Sequence, residues 1–255
     1  MRKKIRPIFS DNTLQFHIPA SWQELDQKQL RITLTVMAYY PSDKAKTVLF
    51  LRLTGIKVHR NTAAGWICSV RLSWFRRKRF FLQLYEIAYF LHQLDFLDTF
   101  SCPVRLEYLH GLKAVDARLH GLSFGEYLMA ENLYQGYLTT GEGSLMEEMA
   151  ALLYRRKDGR ASSRIRLSAT EQMGIFVWWN GVKSLFERQF RHLFQPVAAG
   201  AQVNMQQVMD MQIRALTGGD ITKETQILEQ DCWRALTELD AQAAEAEEYY
   251  KKHGR

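Results

Sequence analysis

A pair of helices separated by glycines is the feature that most constrains how this chain can fold. Ser123 and Glu126 stand three residues apart, the spacing of a capping box, in which the hydroxyl accepts an early amide and the carboxylate accepts the amide of the cap residue. We therefore expect a helix to begin at Ser123. Gly141 and Gly143 interrupt the helical pattern, and a second helix is predicted to begin near Ser144.

Apolar side chains recur at steps of three and four along the first helix, which places them on one broad face. They are Tyr127, Ala130, Leu133, Tyr134, Tyr137 and Leu138. The second helix carries a matching apolar stripe. Such a pair displays aromatic rings rather than reactive groups, so the pattern favours a binding protein over an enzyme, with ordinary core packing of the same rings as the alternative.

Five aromatic residues are the candidate contacts for a protein partner: Tyr127, Tyr134, Tyr137, Trp178 and Trp233. Trp178 and Trp179 are adjacent within a predicted helix, so their rings must point to different sides and at least one can lie at an interface. Trp233 lies on the apolar side of the last predicted helix. Core packing is the more common explanation for tryptophan.

Length and composition indicate a globular protein. The chain has 255 residues, of which 47% are hydrophobic, enough to bury one large core or two modest ones. Its net charge of +7 is uneven, because residues 1–130 carry +9 and residues 131–255 carry −2. A basic N-terminal half suits an acidic protein, a nucleic acid or an anionic lipid as the partner.

The cysteines and the hydropathy pattern bear on the compartment. Cys68, Cys102 and Cys232 are far apart and form no C-x-x-C pair, so neither a disulfide framework nor a cysteine-based zinc site is predicted. No stretch approaches 18 uninterrupted apolar residues, and we expect no transmembrane helix. The sequence thus favours a cytoplasmic protein with no membrane segment.

No motif predicts catalysis, a cofactor or a metal. The seven histidines form no H-E-x-x-H pattern. His110 and His120, with Cys102 nearby, would supply too few ligands for a closed structural zinc site. The chain also lacks a phosphate-binding loop and a G-x-S-x-G motif. We therefore expect a non-enzymatic protein without catalytic, cofactor-binding or metal-binding residues.

The sharpest charge feature is segment 71–84, where consecutive basic residues are enclosed by aromatic ones. The basic residues, which are the candidate contacts for an anionic partner, are Arg76, Arg77, Lys78 and Arg79, and the aromatic ones are Trp74, Phe75, Phe80 and Phe81. In one interpretation the segment binds nucleic acid, because phosphates require cations and unstacked bases require flat rings. In the other, which is favoured, it is a basic hairpin turn whose aromatics face the core.

The pattern along the chain predicts an α+β fold that is mainly helical, with small antiparallel β-hairpins in the N-terminal half and a helical C-terminal half. Outside the helix pair, helices are predicted over 22–39, 41–54, 85–97, 169–194, 203–216 and 222–250, and hairpin strands over 56–59 with 66–72 and over 104–109 with 115–119. A polar linker at 158–163 is predicted to separate a mixed α/β domain, 1–157, from a helical domain, 164–255.

Six short segments carry a resemblance to a known family: WQELDQKQL (22–30), LRLTGIK (51–57), LDFL (94–97), LSFGEY (122–127), ALLYR (151–155) and LTGGDIT (216–222). In this order they resemble proteins that phages and prophages of Bacteroidetes-type bacteria encode near the tape-measure protein, taken to be tail-assembly chaperones or related tail-morphogenesis proteins. The resemblance implies a non-enzymatic role in the bacterial host cell, in which grooves between helices shield hydrophobic helical segments of the tape-measure protein. It fixes no single functional residue.

Overall fold

The structure, a computed structural model, describes residues 8–10, 13–160, 165–195 and 205–253. It is 59% helical and 14% strand, and its strands form small antiparallel sheets. The predicted α+β class is thereby confirmed. The chain divides into two compact units, 1–100 and 101–255. Of the linker predicted at 158–163, residues 161–163 lie outside the described residues, and the helices before and after it, both in the second unit, pack together.

The first unit combines a helical hairpin with a three-stranded sheet. Its elements are β1 (Ile8–Ser10), β2 (Thr13–Gln15), α1 (Gln27–Tyr39), α2 (Ser42–Thr54), β3 (Lys57–Thr62), β4 (Gly65–Arg71), β5 (Arg77–Gln83) and α3 (Leu84–His92). β1 and β2 form a hairpin, and β4 is the central strand of the antiparallel sheet β3-β4-β5. Short 3₁₀ helices cover Trp22–Glu24 and Asp95–Asp98.

Local capping signals set the helix ends of this unit. The carboxylate of Asp26 accepts the amides of Lys28 at 2.9 Å and Gln29 at 2.8 Å, and this cap starts α1. The helix predicted from residue 22 therefore begins five residues later, after a separate 3₁₀ helix. Gly55 ends α2 as predicted, with a φ of 70°, because glycine adopts this left-handed conformation without strain.

The core of the first unit lies on one face of the sheet β3-β4-β5. Cys68 and Val70 from β4 and Leu82 from β5 are buried there. Phe50 of α2 is fully buried and stacks on Phe90 of α3, with ring centroids 5.3 Å apart. Since side chains alternate along a strand, the neighbouring positions of β4 and β5 point to the opposite face, where Ser69 is buried and the side chains around it are exposed.

The second unit is built mainly from helices. Its elements are β6 (Tyr108–Leu109), β7 (Leu112–Ala114), α4 (Phe124–Thr140), α5 (Gly143–Leu153), β8 (Tyr154–Arg155), α6 (Ala169–Gln189), α7 (Met205–Thr217), α8 (Glu224–Leu228) and α9 (Cys232–His253). The strands form the sheet β6-β7-β8. The hairpin predicted around Gly111 is present, but β6 is shorter than the predicted strand 104–109, and β7 precedes the predicted strand 115–119. The third strand follows directly after α5.

The helix pair α4–α5 forms as the sequence predicts. The amide of Glu126 donates to Ser123 Oγ at 3.2 Å, and the amide of Ser123 donates to Glu126 Oε2 at 3.1 Å, which is the predicted capping box. Gly141 ends α4 with a φ of 72°, and α5 begins at Gly143. Arg155 lies beyond the end of α5, in β8, and forms an ion pair with Glu126.

The last helix predicted, over 222–250, is divided in two. α8 ends at Leu228 and α9 begins at Cys232. Asp231 starts the new helix, because its carboxylate accepts the amide of Trp233 at 2.9 Å and also that of Gly121 at 2.7 Å. The break therefore joins the last helix to the segment that precedes α4.

Candidate functional site

The aromatic residues predicted to contact a partner belong mostly to the core of the second unit. Tyr127, Tyr134 and Trp178 are 6%, 2% and 0% exposed. The indole of Trp178 donates to the carbonyl oxygen of Ala117 at 2.7 Å, and the hydroxyl of Tyr134 donates to Asn180 Oδ1 at 3.0 Å. As placed, these three side chains stabilise the fold and present no surface to a partner.

Tyr137 and Trp233 are half-buried and join aromatic clusters. The Tyr137 ring centroid lies 6.5 Å from that of Phe176. Trp233 packs edge-on against Phe186, with centroids 5.4 Å apart, and its indole donates to the carbonyl oxygen of Arg118 at 2.6 Å. The five predicted aromatic contacts therefore do not form one exposed surface.

A buried carboxylate lies among these rings. Glu131 of α4 is 6% exposed. Its Oε1 accepts from Lys183 Nζ at 2.6 Å and Gln135 Nε2 at 2.7 Å, and its Oε2 accepts from Trp179 Nε1 at 2.7 Å. With these donors in place, Glu131 is a structural ion-pair partner rather than a free acid or base. Burial, followed by the nearby charge of Glu131, raises the pKa of Tyr127 well above its usual value.

Cys232, His110 and His120 are each buried or engaged with a neighbouring side chain. Cys232 is fully buried, and burial raises the pKa of its thiol to about 12, so it is no nucleophile at neutral pH. His110 Nε2 lies 3.4 Å from Glu171 Oε2, and His120 stacks on Trp233 with centroids 4.5 Å apart. Over the residues that the structure describes, no group of three His, Cys, Asp or Glu side chains is placed to hold a metal ion.

A groove of about 300 Å³ lies on the helix pair α4–α5. It is lined by Met129, Leu133, Ser144, Glu147, Glu148, Ala151, Leu152 and Ile165. Most of the lining is apolar, and Glu147 is already engaged, because its carboxylate accepts the amide of Leu167 at 3.1 Å. A groove of this composition suits the apolar side chains of a helix that carries a basic residue.

The face of the sheet β3-β4-β5 opposite the core of the first unit gathers basic residues from three strands. Residues paired directly across an antiparallel sheet share a face. The pairs are Arg71 with Arg77, Ser69 with both Lys57 and Arg79, and Ile67 with both Arg60 and Phe81. We name the surface formed by these residues the basic sheet face.

The four basic residues predicted to contact an anionic partner do not all lie on one face of the sheet. Arg77 and Arg79 lie on the basic sheet face and are exposed. Lys78 points to the opposite face, as the alternation of a strand requires, and is half-buried. Arg76 lies in the turn before β5 and is exposed. Three of the four cations are thus accessible from solvent, at the turn and along β5.

The turn between β4 and β5, residues 72–76, presents two aromatic rings to solvent. Trp74 is 76% exposed and Phe75 is 93% exposed. A hairpin is present as predicted, but Arg77, Lys78 and Arg79 lie in β5 rather than in its turn, and the two rings do not face the core. Phe80 does point inward, and its ring centroid lies 6.0 Å from that of Phe16.

Two apolar side chains lie on the basic sheet face itself. Ile67 is 39% exposed and Phe81 is 46% exposed. The Phe81 ring approaches Gly65, where a Cβ would lie 3.0 Å from the ring. Glycine at this position leaves room for the ring, whose remaining surface is open to solvent.

No acidic residue of the same segment balances this charge. Residues 57–83 contain seven Lys and Arg and no Asp or Glu. Within the described ranges, Lys57, Arg60, Arg77 and Arg79 form no ion pair. Cations without partners next to exposed rings attract an anionic partner that also has flat groups. The basic sheet face and its turn are therefore the candidate functional site.

Part of this site was not predicted from the sequence. Lys57, Arg60 and Ile67 come from strands that precede the basic run and join it only through strand pairing. One signal in the sequence would have indicated them, namely the absence of acidic residues from 57–83.

The fold and site together define an α+β protein with a cationic, aromatic sheet face. Comparison with protein-family models, with curated proteins and with solved structures finds no match for this chain. None of the helices in the described ranges combines the length and the apolar composition that crossing a lipid bilayer requires.

Proposed function

We propose that this chain is a non-enzymatic nucleic-acid-binding protein and that the basic sheet face, with its turn, is the binding surface. The observation that carries the proposal is the exposure of Trp74, Phe75 and Phe81 beside arginines that pair with no carboxylate in the described part of the chain. Phosphates bind such cations, and bases stack on such rings. Positive charges that have no neighbouring carboxylate repel one another and destabilise the folded state, and an anionic partner would relieve this repulsion.

The structure sets the size of the expected electrostatic effect. Besides Arg71, whose guanidinium donates to carbonyl oxygens within the turn, five exposed cations flank the exposed rings: Lys57, Arg60, Arg76, Arg77 and Arg79. If each neutralises one phosphate of a single strand, the slope of log K against log salt concentration is about −3.5. Binding by this surface must therefore weaken steeply as salt is added.

The test compares two double variants with the same change in net charge. Arg77→Gln/Arg79→Gln removes two cations from the basic sheet face, and Arg156→Gln/Lys157→Gln removes two exposed cations from the second unit. Fluorescence anisotropy with a labelled oligonucleotide measures affinity over a salt series. We expect the first variant to reduce the slope by about 1.4 and the second to leave it unchanged.

Two outcomes refute this proposal. The wild-type protein must bind an oligonucleotide at low salt, where contacts to phosphates are strongest. Failure to bind at roughly 20–50 mM salt excludes the proposed function. Equal weakening by both double variants would show that net charge, rather than this surface, governs binding.

A second function is favoured by the groove on α4–α5. We propose, as this second candidate, a phage tail-morphogenesis chaperone that holds a hydrophobic helical segment of a tape-measure protein in the host cytoplasm. The groove supports it, because it offers apolar lining beside Glu147 and Glu148, and two of the segments that carry the resemblance, 122–127 and 151–155, lie in or next to these helices.

Co-expression with the tape-measure protein tests this second candidate. Met129 lines the groove and is 54% exposed, so Met129→Lys places a charge there without disturbing the core. Asn132, exposed on the same helix and outside the groove lining, supplies the control Asn132→Lys. Co-purification that survives Asn132→Lys and is lost with Met129→Lys supports the groove, and co-purification unaffected by both excludes it.

A further inference from the structure

We propose that the basic sheet face selects single-stranded over duplex nucleic acid, because its turn is a preformed platform on which unpaired bases stack. This inference rests on the proposed nucleic-acid binding and names the class of ligand for that site. It also assigns Arg71 as the residue that positions the platform.

The platform consists of two adjacent rings that the fold does not bury. Large aromatic side chains are usually buried at least in part, whereas the side chains of Trp74 and Phe75 are exposed at 76% and 93%. Their centroids are 6.2 Å apart, and their planes meet at 72°. The two rings therefore do not stack on each other, and each keeps an open face for another flat group.

Arg71 holds this turn in place. Its Nη2 donates to the carbonyl oxygen of Trp74 at 3.0 Å and its Nε to that of Ser73 at 3.3 Å. Its guanidinium carbon lies 5.4 Å from the centre of the Trp74 ring. The carbonyl oxygen of Arg76 closes the turn by accepting the amide of Leu72 at 2.9 Å. A surface ordered before binding loses less conformational entropy when the ligand arrives.

Cations and a third ring continue from the platform along β5. Arg77, Arg79 and Phe81 occupy alternate positions on the basic sheet face, so successive side chains stand about 7 Å apart. The order from the turn is thus two rings, two cations and a ring. A polymer that alternates flat groups with negative charges along an extended backbone matches this order, and single-stranded DNA and RNA are such polymers.

Duplexes and membranes fit the same surface less well. In a duplex the bases are paired and stacked on each other, so the rings reach only their edges. An anionic membrane accounts for Trp74 and Phe75 at the turn, but it leaves Phe81 unexplained, because Phe81 lies four residues into the strand on the sheet face. Only an unpaired strand uses the turn and the sheet face together.

The experiment measures binding of the full-length chain to four probes. These are a labelled single-stranded DNA of mixed sequence, the RNA of the same sequence, the matching DNA duplex, and vesicles containing phosphatidylserine. We expect both single strands to bind at least about tenfold more tightly than the duplex, because only unpaired bases can stack on Trp74 and Phe75. The ratio between DNA and RNA then shows which source of single strands the surface prefers.

Three variants separate stacking from charge. Trp74→Ala/Phe75→Ala changes only exposed side chains, and we expect it to weaken single-strand binding by more than about tenfold while leaving duplex affinity and the salt slope unchanged. Trp74→Phe retains a flat ring at this position, so it should keep most of the wild-type affinity for single strands. Arg71→Lys keeps the charge but loses the fork that holds the turn, so affinity should fall with an unchanged salt slope.

The outcomes distinguish this inference from the function on which it rests. Equal binding of single strand and duplex, or full affinity in Trp74→Ala/Phe75→Ala, overturns the inference, and if Arg77→Gln/Arg79→Gln still weakens binding, the proposed nucleic-acid function stands. Absence of binding to every oligonucleotide overturns both. Vesicle binding that depends on Trp74 and Phe75, without oligonucleotide binding, assigns the surface to membranes instead.

Discussion

Replacing Gly181 by alanine tests how tightly α6 packs, because two effects of opposite sign meet at this position. Gly181 lies inside α6, where alanine is favoured over glycine by about 1 kcal/mol. A Cβ at this position would lie 2.7 Å from Cα of Pro103, and nearer still to the carbonyl group of Cys102. Carbon atoms in contact are normally about 3.5 Å apart or more.

The overlap is therefore at least about 0.8 Å and involves backbone atoms, which cannot rotate away. Overpacking of this kind costs typically about 1–3 kcal/mol, and we take the upper end because no side chain can yield. After subtracting the helix-propensity gain of about 1 kcal/mol, Gly181→Ala is expected to lower the free energy of unfolding by about 2 kcal/mol. For a unit of this size, the midpoint temperature falls by about 6 °C.

Gly143→Ala supplies the matched control. Gly143 is the first residue of α5, and a Cβ there would meet Nε2 of Gln172 at 2.8 Å. This atom is the far end of a flexible side chain that can move aside, so the change should be neutral or slightly stabilising. Urea denaturation followed by tryptophan fluorescence measures both variants, and hydrogen exchange of α6 amides locates the effect.

A Gly181→Ala variant that is as stable as the wild type, or more stable, would refute this prediction. That result would mean that the propensity gain exceeds the clash, and that α6 does not pack against Cys102 and Pro103 as closely as the structure shows. An equal loss from Gly143→Ala would also contradict it, because only one of the two positions is walled by backbone.

Three further predictions concern the second unit. Glu131→Gln should cost about 2–3 kcal/mol of stability, because the amide turns a donor toward the donors that converge there, and the exposed Glu187→Gln should change it by less than about 0.5 kcal/mol. Asp231→Ala should cost about 1–2 kcal/mol and speed hydrogen exchange at the amides of Gly121 and Trp233, and unchanged exchange would refute this cap. The pKa of Cys232 is about 12 when folded, against 9.0 for a free thiol, so the folded state holds a proton that the unfolded state loses. The contribution of this thiol to the free energy of unfolding is fully present below pH 9 and falls by about 1.4 kcal/mol per pH unit from pH 9 to 12. Urea unfolding of Cys232→Ala, measured over the same pH range, should lack this decrease.

The parts of the fold that the sequence predicts well are those with local causes. The start of α4 depends on Ser123 and Glu126, which are three residues apart, and the ends of α2 and α4 depend on single glycines with positive φ. The hairpin β4–β5 follows from strand-forming residues on both sides of the turn at 72–76. Such signals act within one or two turns of chain and can be read without knowing the tertiary structure.

What the sequence does not predict depends on partners distant in the chain. Glu131 meets Trp179 and Lys183, 48 and 52 residues away, and nothing near Glu131 marks it as buried. Asp231 divides the last helix because it also binds Gly121, 110 residues away. Tyr127 and Tyr134 show the helical spacing of both a binding stripe and a core stripe, and only packing decides between them.

Only the contiguous part of the candidate site can be predicted from the sequence, because the rest depends on pairing between strands. The basic run and its aromatics are contiguous, so their chemistry is visible in the sequence. The contributions of Lys57 and Arg60 require the register of β3 against β4, which includes a bulge between Val58 and Arg60. Which rings face solvent depends on where the turn falls, and the turn places Trp74 and Phe75 at its tip.

The pairing of Arg71 directly opposite Arg77 has a consequence for the protein without its ligand. Like charges that face each other across two strands repel and destabilise the pairing, and dissolved ions screen such repulsion. Salt therefore stabilises the folding of this hairpin even as it loosens the hairpin's hold on a phosphate chain. A bound nucleic-acid strand and a concentrated salt solution relieve the same repulsion between Arg71 and Arg77, so each should protect the hairpin against unfolding. When one is present, the other should add less protection.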